Sequence, residues 1–319
     1  MKRKVLMQLV VPLLGLCVLF VLLAFEPDAS RRAAEPSQIS VILRETDTSC
    51  FAAARQGMEQ AAADLGAELR ILTLGTANDA AEQRELLRRE ADGGADAVVL
   101  VPADRESLAA DVKKITGELP VVTMETDLTK SGARVWVGAD NEALGRALGQ
   151  AALNGAEPGR TVLALSSVPG DNGVQDRLES AAAVLAEAGR DVRVCAARDG
   201  QSVGQALAEE LSAVSPALVL AFEASALEQA AQVMDTRAEP PLLYGVGATN
   251  SIAAGLEQGR ITAIAAQNEF AAGYLAVESA ARQAKKLAAE PVEPLGFSIL
   301  RRENMYEPDH QKLLFPVTR

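Results

Sequence analysis

Short apolar runs alternate with amphipathic stretches along most of this chain. The first clear unit spans residues 39–67, ISVILRETDTSCFAAARQGMEQAAADLGA. It opens with an apolar run at 39–43 and a polar segment at 44–49. Phe51, Ala54, Met58, Ala61 and Leu65 then recur at three- and four-residue steps, the spacing of one helix face. Gly66 ends the pattern. The unit reads as strand, loop and helix. Such units place their loops at the carboxyl ends of parallel strands, where open α/β sheets bind ligands. Residues 44–50 are therefore expected to form one wall of a binding cleft.

Similar units follow. Strands are predicted at 68–73, 97–101, 120–124 and 135–138, with helices at 80–93, 106–117 and from about 142 to 154. The rhythm restarts after a turn at 155–159. Strands are then expected at 161–166, 191–195, 217–222, 242–246 and 261–265, and helices at 174–188, 202–214, 225–235, 251–258 and 270–287. Residues 297–301 and 313–317 read as final short strands. Continuous apolar strands between amphipathic helices argue for parallel sheets covered on both faces. The restart favours two similar α/β lobes over one very wide sheet.

Composition narrows the function. The 319 residues are 49% apolar, enough for two cores, and only 3% aromatic. Net charge is −12, and the one obvious basic cluster is Lys2-Arg3-Lys4. So acidic a body is a poor partner for nucleic-acid phosphates. The three cysteines, Cys17, Cys50 and Cys195, form no CxxC or Cys/His pattern. Cys50 and Cys195 are expected to be unpaired, small and partly buried.

Residues 5–25 carry no charge and follow the basic cluster. About 20 apolar residues span a bilayer, and the basic flank stays inside. Residues 1–26 are expected to be an uncleaved membrane anchor, with a cleaved signal peptide as the alternative. Residues 27–37, PDASRRAAEPS, read as a tether. Either way the body lies outside the cytoplasm.

Catalytic and metal-binding motifs do not emerge. His310 is the single histidine and sits in the polar segment EPDHQK, where a solvated role is expected. There is no HExxH, P-loop or EF-hand pattern. Gly245-Val246-Gly247 follows a strand, but Asn250 takes the last position of a G-x-G-x-x-G fingerprint, so a tight turn is the reading. No cofactor, metal or enzymatic activity is expected.

With these units in place, the body from residue 39 to 319 resembles the type I periplasmic binding proteins, the ribose/galactose-binding-like group. The resemblance rests on the opening unit, ADGGADAVVLVPAD at 91–104, PVVTMET at 120–126, VGADNEALGRALG at 137–149, DRLESAAAVL at 176–185, VLAFEASALEQA at 219–230 and LEQGRITAIAAQN at 256–268. It implies two Rossmann-like lobes with parallel sheets, a three-strand hinge, and a ligand cleft between them. The crossovers would fall at 138–141, 267–268 and 295–298. The first lobe would hold 38–138 plus 269–295, and the second 139–268 plus 296–319. The implied function is capture of a small polar, sugar-like ligand for an ABC importer. A membrane-anchored sensor reporting to a kinase or receptor is the alternative.

The resemblance also implies ligand contacts. Thr48 falls where the family places a polar contact, and Phe51 where an aromatic packs on a sugar face. Asp104 falls where an acid often borders the cleft. Glu125 stands where an Asp binds hydroxyls, and Thr126 where ribose binders often have Arg. Arg177 matches a second-lobe arginine, Glu223 falls at a usual Asn, and Gln267 matches a hinge glutamine. Cys50 replaces a common second aromatic and Gly247 a common Asp, so the pocket departs from the sugar pattern. Local readings compete. Phe51 begins an apolar helix face. Asp47, Thr48 or Ser49 can cap the helix that follows them, and Asp104 the helix at 106–117. Glu223 is either a cleft acid or a helix-start residue.

Overall fold

The apolar runs fold into the strands of two separate sheets. The computed structural model describes residues 36–315 apart from Pro169 and Asp199; the predicted anchor, 1–26, and nearly all of the predicted tether, 27–37, lie outside the described residues. The first sheet contains β1 (Ser37–Ile42), β2 (Ala67–Leu72), β3 (Ala97–Leu100), β4 (Val121–Met124) and β5 (Val135–Val137). Their order is β2-β1-β3-β4-β5, all parallel. The second contains β6 (Val162–Ser166), β7 (Val192–Ala196), β8 (Leu218–Ala221), β9 (Leu242–Val246), β10 (Ala263–Gln267) and β11 (Phe297–Leu300). Its order is β11-β10-β9-β8-β6-β7, parallel except for β11 on β10. From β7 to β10 it repeats the order of the first sheet, so the expected pair of α/β lobes is present.

The first lobe carries α1 (Ala52–Leu65), α2 (Ala80–Asp92) and α3 (Arg105–Ile115). The second carries α4 (Asn141–Ala152), α5 (Gly173–Glu187), α6 (Val203–Ala213), α7 (Ala224–Asp235) and α8 (Asn250–Glu257). Two later helices are α9 (Glu269–Ala284) and α10 (Pro308–Leu314). Successive strand residues enter different cores, because strand side chains alternate between faces. Ile39 and Val41 pack with Ala54 and Met58, while Ile42 packs with Leu87 and Val112. In the second lobe Leu163 and Leu165 join one core, and Val162 and Ala164 the other. Both sheets are thus covered on both faces, which is why their strands read as continuous apolar runs.

The chain passes between the lobes more than once. It leaves β5 for α4, leaves β10 for α9, and returns from α9 to β11. Helix α9 supplies Ala272, Ala276 and Ala280 to the core that contains Ala54 and Met58 of α1. Among the described residues no helix is long and apolar enough to cross a membrane.

Two features of the tail depart from expectation. Of the strand predicted at 313–317, residues 316 and 317 lie outside the described residues, Leu313 and Leu314 end α10, and Phe315 caps it. Leu313, Leu314 and Phe315 form a short apolar run that resembles a strand. Pro308 at the helix start, with Asp309 in the first turn and Lys312 in the last, sets a helix instead. His310, expected to be solvated, is half-buried, with Nδ1 2.8 Å from the Asn304 carbonyl oxygen. Cys50 and Cys195 are free thiols, as expected.

Candidate functional site

In a sheet ordered β2-β1-β3, the chain leaves the central strands in opposite directions, and a crevice opens at their carboxyl ends. Both lobes present such a point. Arg44 follows β1 in the first lobe, and Glu223 follows β8 in the second. Gln83, fully buried on α2, holds the first crevice in shape. It donates to the carbonyls of Leu43 and Val101 and accepts from the Ala103 amide.

Arg44 is 3% exposed and lies at the centre of an acidic cluster. Its Nη2 is 2.6 Å from Glu223 Oε2 and 3.3 Å from Glu125 Oε2. Its Nη1 donates to Glu45 Oε1 at 3.1 Å and to Asn78 Oδ1 at 3.0 Å. The contact with Glu223 is an ion pair between lobes. Burial disfavours charge on Arg44, but Glu223, Glu125 and Glu45 outweigh it and hold the guanidinium charged. Burial likewise opposes charge on Glu223, and Arg44 overcomes it, so this carboxyl sits below its usual range. Glu45 differs. Desolvation dominates there despite Arg44, and Glu223 and Glu125 add repulsion, pushing its carboxyl up to about 7. Glu269, at the start of α9, is also pushed up to about 7 by burial and by Glu125.

A polar chain runs from these acids into the second lobe. Glu125 holds an unusual backbone φ of 60°, a conformation that costs energy and clusters at functional sites. Its carbonyl accepts from Asn141 Nδ2 at 2.6 Å. Asn141 Oδ1 accepts from Arg177 Nε at 2.7 Å, and Arg177 Nη1 donates to the Phe222 carbonyl at 3.1 Å. Gly145 on α4 makes this possible: a Cβ there would lie 2.3 Å from the Arg177 carbonyl oxygen, so only glycine lets α5 come this close. Gln267 accepts from the Ala139 amide and donates to Glu269 Oε1 at 3.0 Å.

Beside the acids the two lobes clasp each other. Asp104 accepts from Ser107 N at the start of α3, and its other oxygen accepts from Asp171 N at 2.9 Å. Arg105 forms ion pairs with Asp171 and, at 2.6 Å, with Asp176. Asn172 Nδ2 donates to the Ala103 carbonyl, and Gly173 N donates to Thr126 Oγ1 at 3.0 Å. Gly170 has φ +97°, and a Cβ there would lie 2.3 Å from Asp104 Oδ2.

A cavity of about 560 Å³ lies between the lobes. The first lobe contributes Arg44, Glu45, Cys50, Phe51 and Glu125; the second contributes Arg177, Glu223, Glu228 and Thr249. Glu269, Leu314 and Phe315 complete its wall. Four residues singled out in the sequence therefore meet there: Phe51, Glu125, Arg177 and Glu223. The other four lie elsewhere. Thr48 precedes the helical turn Ser49–Phe51 and does not line the cavity. Asp104 and Thr126 belong to the clasp. Gln267 stands behind Glu269. The loop 44–50, expected as one wall of the cleft, does line the cavity through Arg44, Glu45, Ser49 and Cys50; sequence reasoning missed Glu228, Glu269 and Phe315, and singled out neither Arg44 nor Glu45 within the loop. For Arg44 a signal was available: a lone arginine directly after the first apolar run is placed by the fold at the crevice.

Comparison with known proteins places this geometry. A family model described as periplasmic binding protein domain matches residues 39–288. No curated protein sequence matches. Among solved structures, a carbohydrate transporter solute binding protein from Agrobacterium radiobacter in complex with D-arabinose has a TM-score of 0.77 at 20% identity, covering 88% of this chain and 100% of that one. An ABC transporter solute binding protein from Agrobacterium vitis bound with α-D-tagatopyranose has a TM-score of 0.75 at 18% identity, covering 88% and 100%. The XylFII-LytSN complex has a TM-score of 0.75 at 14% identity, covering 84% and 98%.

Proposed function

The chain belongs to the periplasmic binding protein domain family, and from that premise we propose that it captures a small, sugar-like ligand between its lobes outside the cytoplasm and delivers it to an ABC importer. The observation that carries this reading is the cavity of about 560 Å³ walled by the carboxyl ends of both sheets. Its size is typical of small-molecule sites. Phe51 offers an apolar face, Arg177 and the glutamates offer polar contacts, and the clasp residues Asp104 and Thr126 hold the closed state. Thr48 and Gln267 act from the periphery. The function is binding and release, not catalysis.

The passages at 138–141, 267–268 and 295–298 serve as the hinge. They divide the chain into 38–138 plus 269–295 and 139–268 plus 296–319. Closure about them buries the ligand, which shifts the open–closed equilibrium by its preference for the closed state. Residues 1–26 tether the body to the membrane. Calorimetric titration of the body with a panel of pentoses and hexoses tests the reading, with small-angle scattering to follow closure. Failure of every sugar and amino sugar to bind would overturn it. The relation to the XylFII-LytSN complex supports a second reading, an anchored sensor whose closed form is read by a partner protein.

A further inference from the structure

The charges around the cavity do not balance. Five glutamates, at positions 45, 125, 223, 228 and 269, face two arginines, Arg44 and Arg177. Arg44 is already engaged by Glu45, Glu125 and Glu223. Arg177 spends its Nε and Nη1 on two neutral acceptors, Asn141 Oδ1 and the Phe222 carbonyl. Among the described residues, no cation lies within ion-pair distance of Glu228 or Glu269. Glu228 is met by the Thr249 hydroxyl and Glu269 by the Gln267 amide, both neutral.

Resting on the reading of this cavity as a ligand site, we propose that its ligand is a cationic polyol, a sugar-like molecule bearing at least one protonated amine. One further observation bears on the ligand. Arg177 is 2% exposed and lines the cavity, yet its Nη2 has no hydrogen-bond partner among the described residues, so it is free to donate to a ligand oxygen. Glu223, on the same wall, is already paired with Arg44 at 2.6 Å. Arg177 thus asks for an oxygen acceptor, and Glu228 and Glu269 ask for a charged donor, in one molecule.

A neutral sugar satisfies acceptors through its hydroxyls but leaves the excess negative charge buried on closure. An ammonium satisfies the same acceptors and neutralises them, in a setting where water screens little. A metal ion fits less well. Among the described residues no group of three or more His, Cys, Asp or Glu side chains is arranged to hold one. The carboxylates are distributed around the wall, which suits a ligand of several atoms. Phe51 and Phe315 provide apolar surface for its ring or chain.

The test is calorimetric titration of the wild-type body at pH 7.5 with aldohexoses offered in three forms: the free sugar, the 2-amino sugar and its N-acetyl derivative. The amino form is expected to bind at least tenfold more tightly than both neutral forms and to weaken as salt is raised. Titration in buffers of different ionisation enthalpy should reveal protons released on binding, a readout that needs no variant. Glu269→Gln and Glu228→Gln should each narrow the preference. Neutral sugars binding as tightly as amino sugars would overturn the charge inference and leave the binding-protein reading intact. No binding by any of the three forms would overturn the cationic-polyol proposal, and failure of the whole pentose and hexose panel as well would overturn the binding-protein reading with it.

Discussion

Arg44 and Glu223 meet at 2.6 Å although they lie just past the ends of strands in different sheets. Each side chain is almost completely buried. The pair ties the lobes together from inside the cleft, while the contacts of Arg105 and Asp104 tie them along its rim. The two ties have different energetics, because one is dry and the other is wet.

Removing one partner of a buried ion pair leaves an uncompensated charge and typically costs about 3–5 kcal/mol. Arg44→Met leaves three glutamates facing one another and is expected to cost at least about 3 kcal/mol in urea unfolding at pH 7. Glu223→Gln should cost less, since Arg44 keeps Glu125 and Glu45. Equal losses for the two variants would show that the cluster does not act through Arg44.

The rim is a different case. Arg105 is partly exposed, and such ion pairs contribute about 0–1 kcal/mol. Arg105→Ala should therefore leave the melting temperature nearly unchanged. It should still shift the ligand-free chain toward an open form, seen as a larger radius of gyration in solution scattering. An unchanged radius would mean the rim contacts do not govern closure.

Glu45 and Glu269 give the fold a pH dependence. Each titrates near 4.5 when exposed and is pushed up to about 7 in the folded chain. Between those values the folded state holds more protons than the unfolded one. Their contribution to stability is full below about 4.5 and is lost as pH rises through about 7. The melting temperature of the ligand-free protein is expected to fall from pH 5 to pH 8. Glu269→Gln should flatten that slope, and a slope equal to wild type would contradict the assignment.

Phe51 is 6% exposed, yet it belongs both to the first-lobe core and to the cavity wall. Phe51→Ala is expected to destabilise the fold by about 3–5 kcal/mol. It should also weaken ligand binding under conditions where the variant remains folded. Loss of stability with affinity unchanged would assign Phe51 to the core alone.

Much of the fold was legible because its strands are buried on both faces and so read as unbroken apolar runs. The helix after Asp104 was legible because a capping side chain acts within three residues. The centre of the site was not. Arg44 reads as part of a polar loop, and only its pairing with Glu223 on the other sheet makes it a buried charge. Glu269 reads as an ordinary acid at a helix start, where the dipole favours it; its unusual surroundings come from Glu125 and Gln267. Gln83 sits in an amphipathic helix like any polar residue, and its three bonds go to strand ends far along the chain. The tail misled because Leu313, Leu314 and Phe315 look alike, while Leu314 alone of the three is fully buried.

The return of α9 to the first lobe has a consequence for synthesis. The core of α1 is completed by Ala272, Ala276 and Ala280, residues that leave the ribosome only after β6–β10 have emerged. Domains tend to fold in the order in which they are made, but here neither lobe is complete until the last stretch emerges. The first sheet waits for α9 to cover it, and the second waits for β11, which pairs with β10 and brings Leu300 into its core. A chain ending at residue 268 is accordingly expected to bind an apolar dye, and a full-length chain to exclude it. Both lobes wait for residues 269–314.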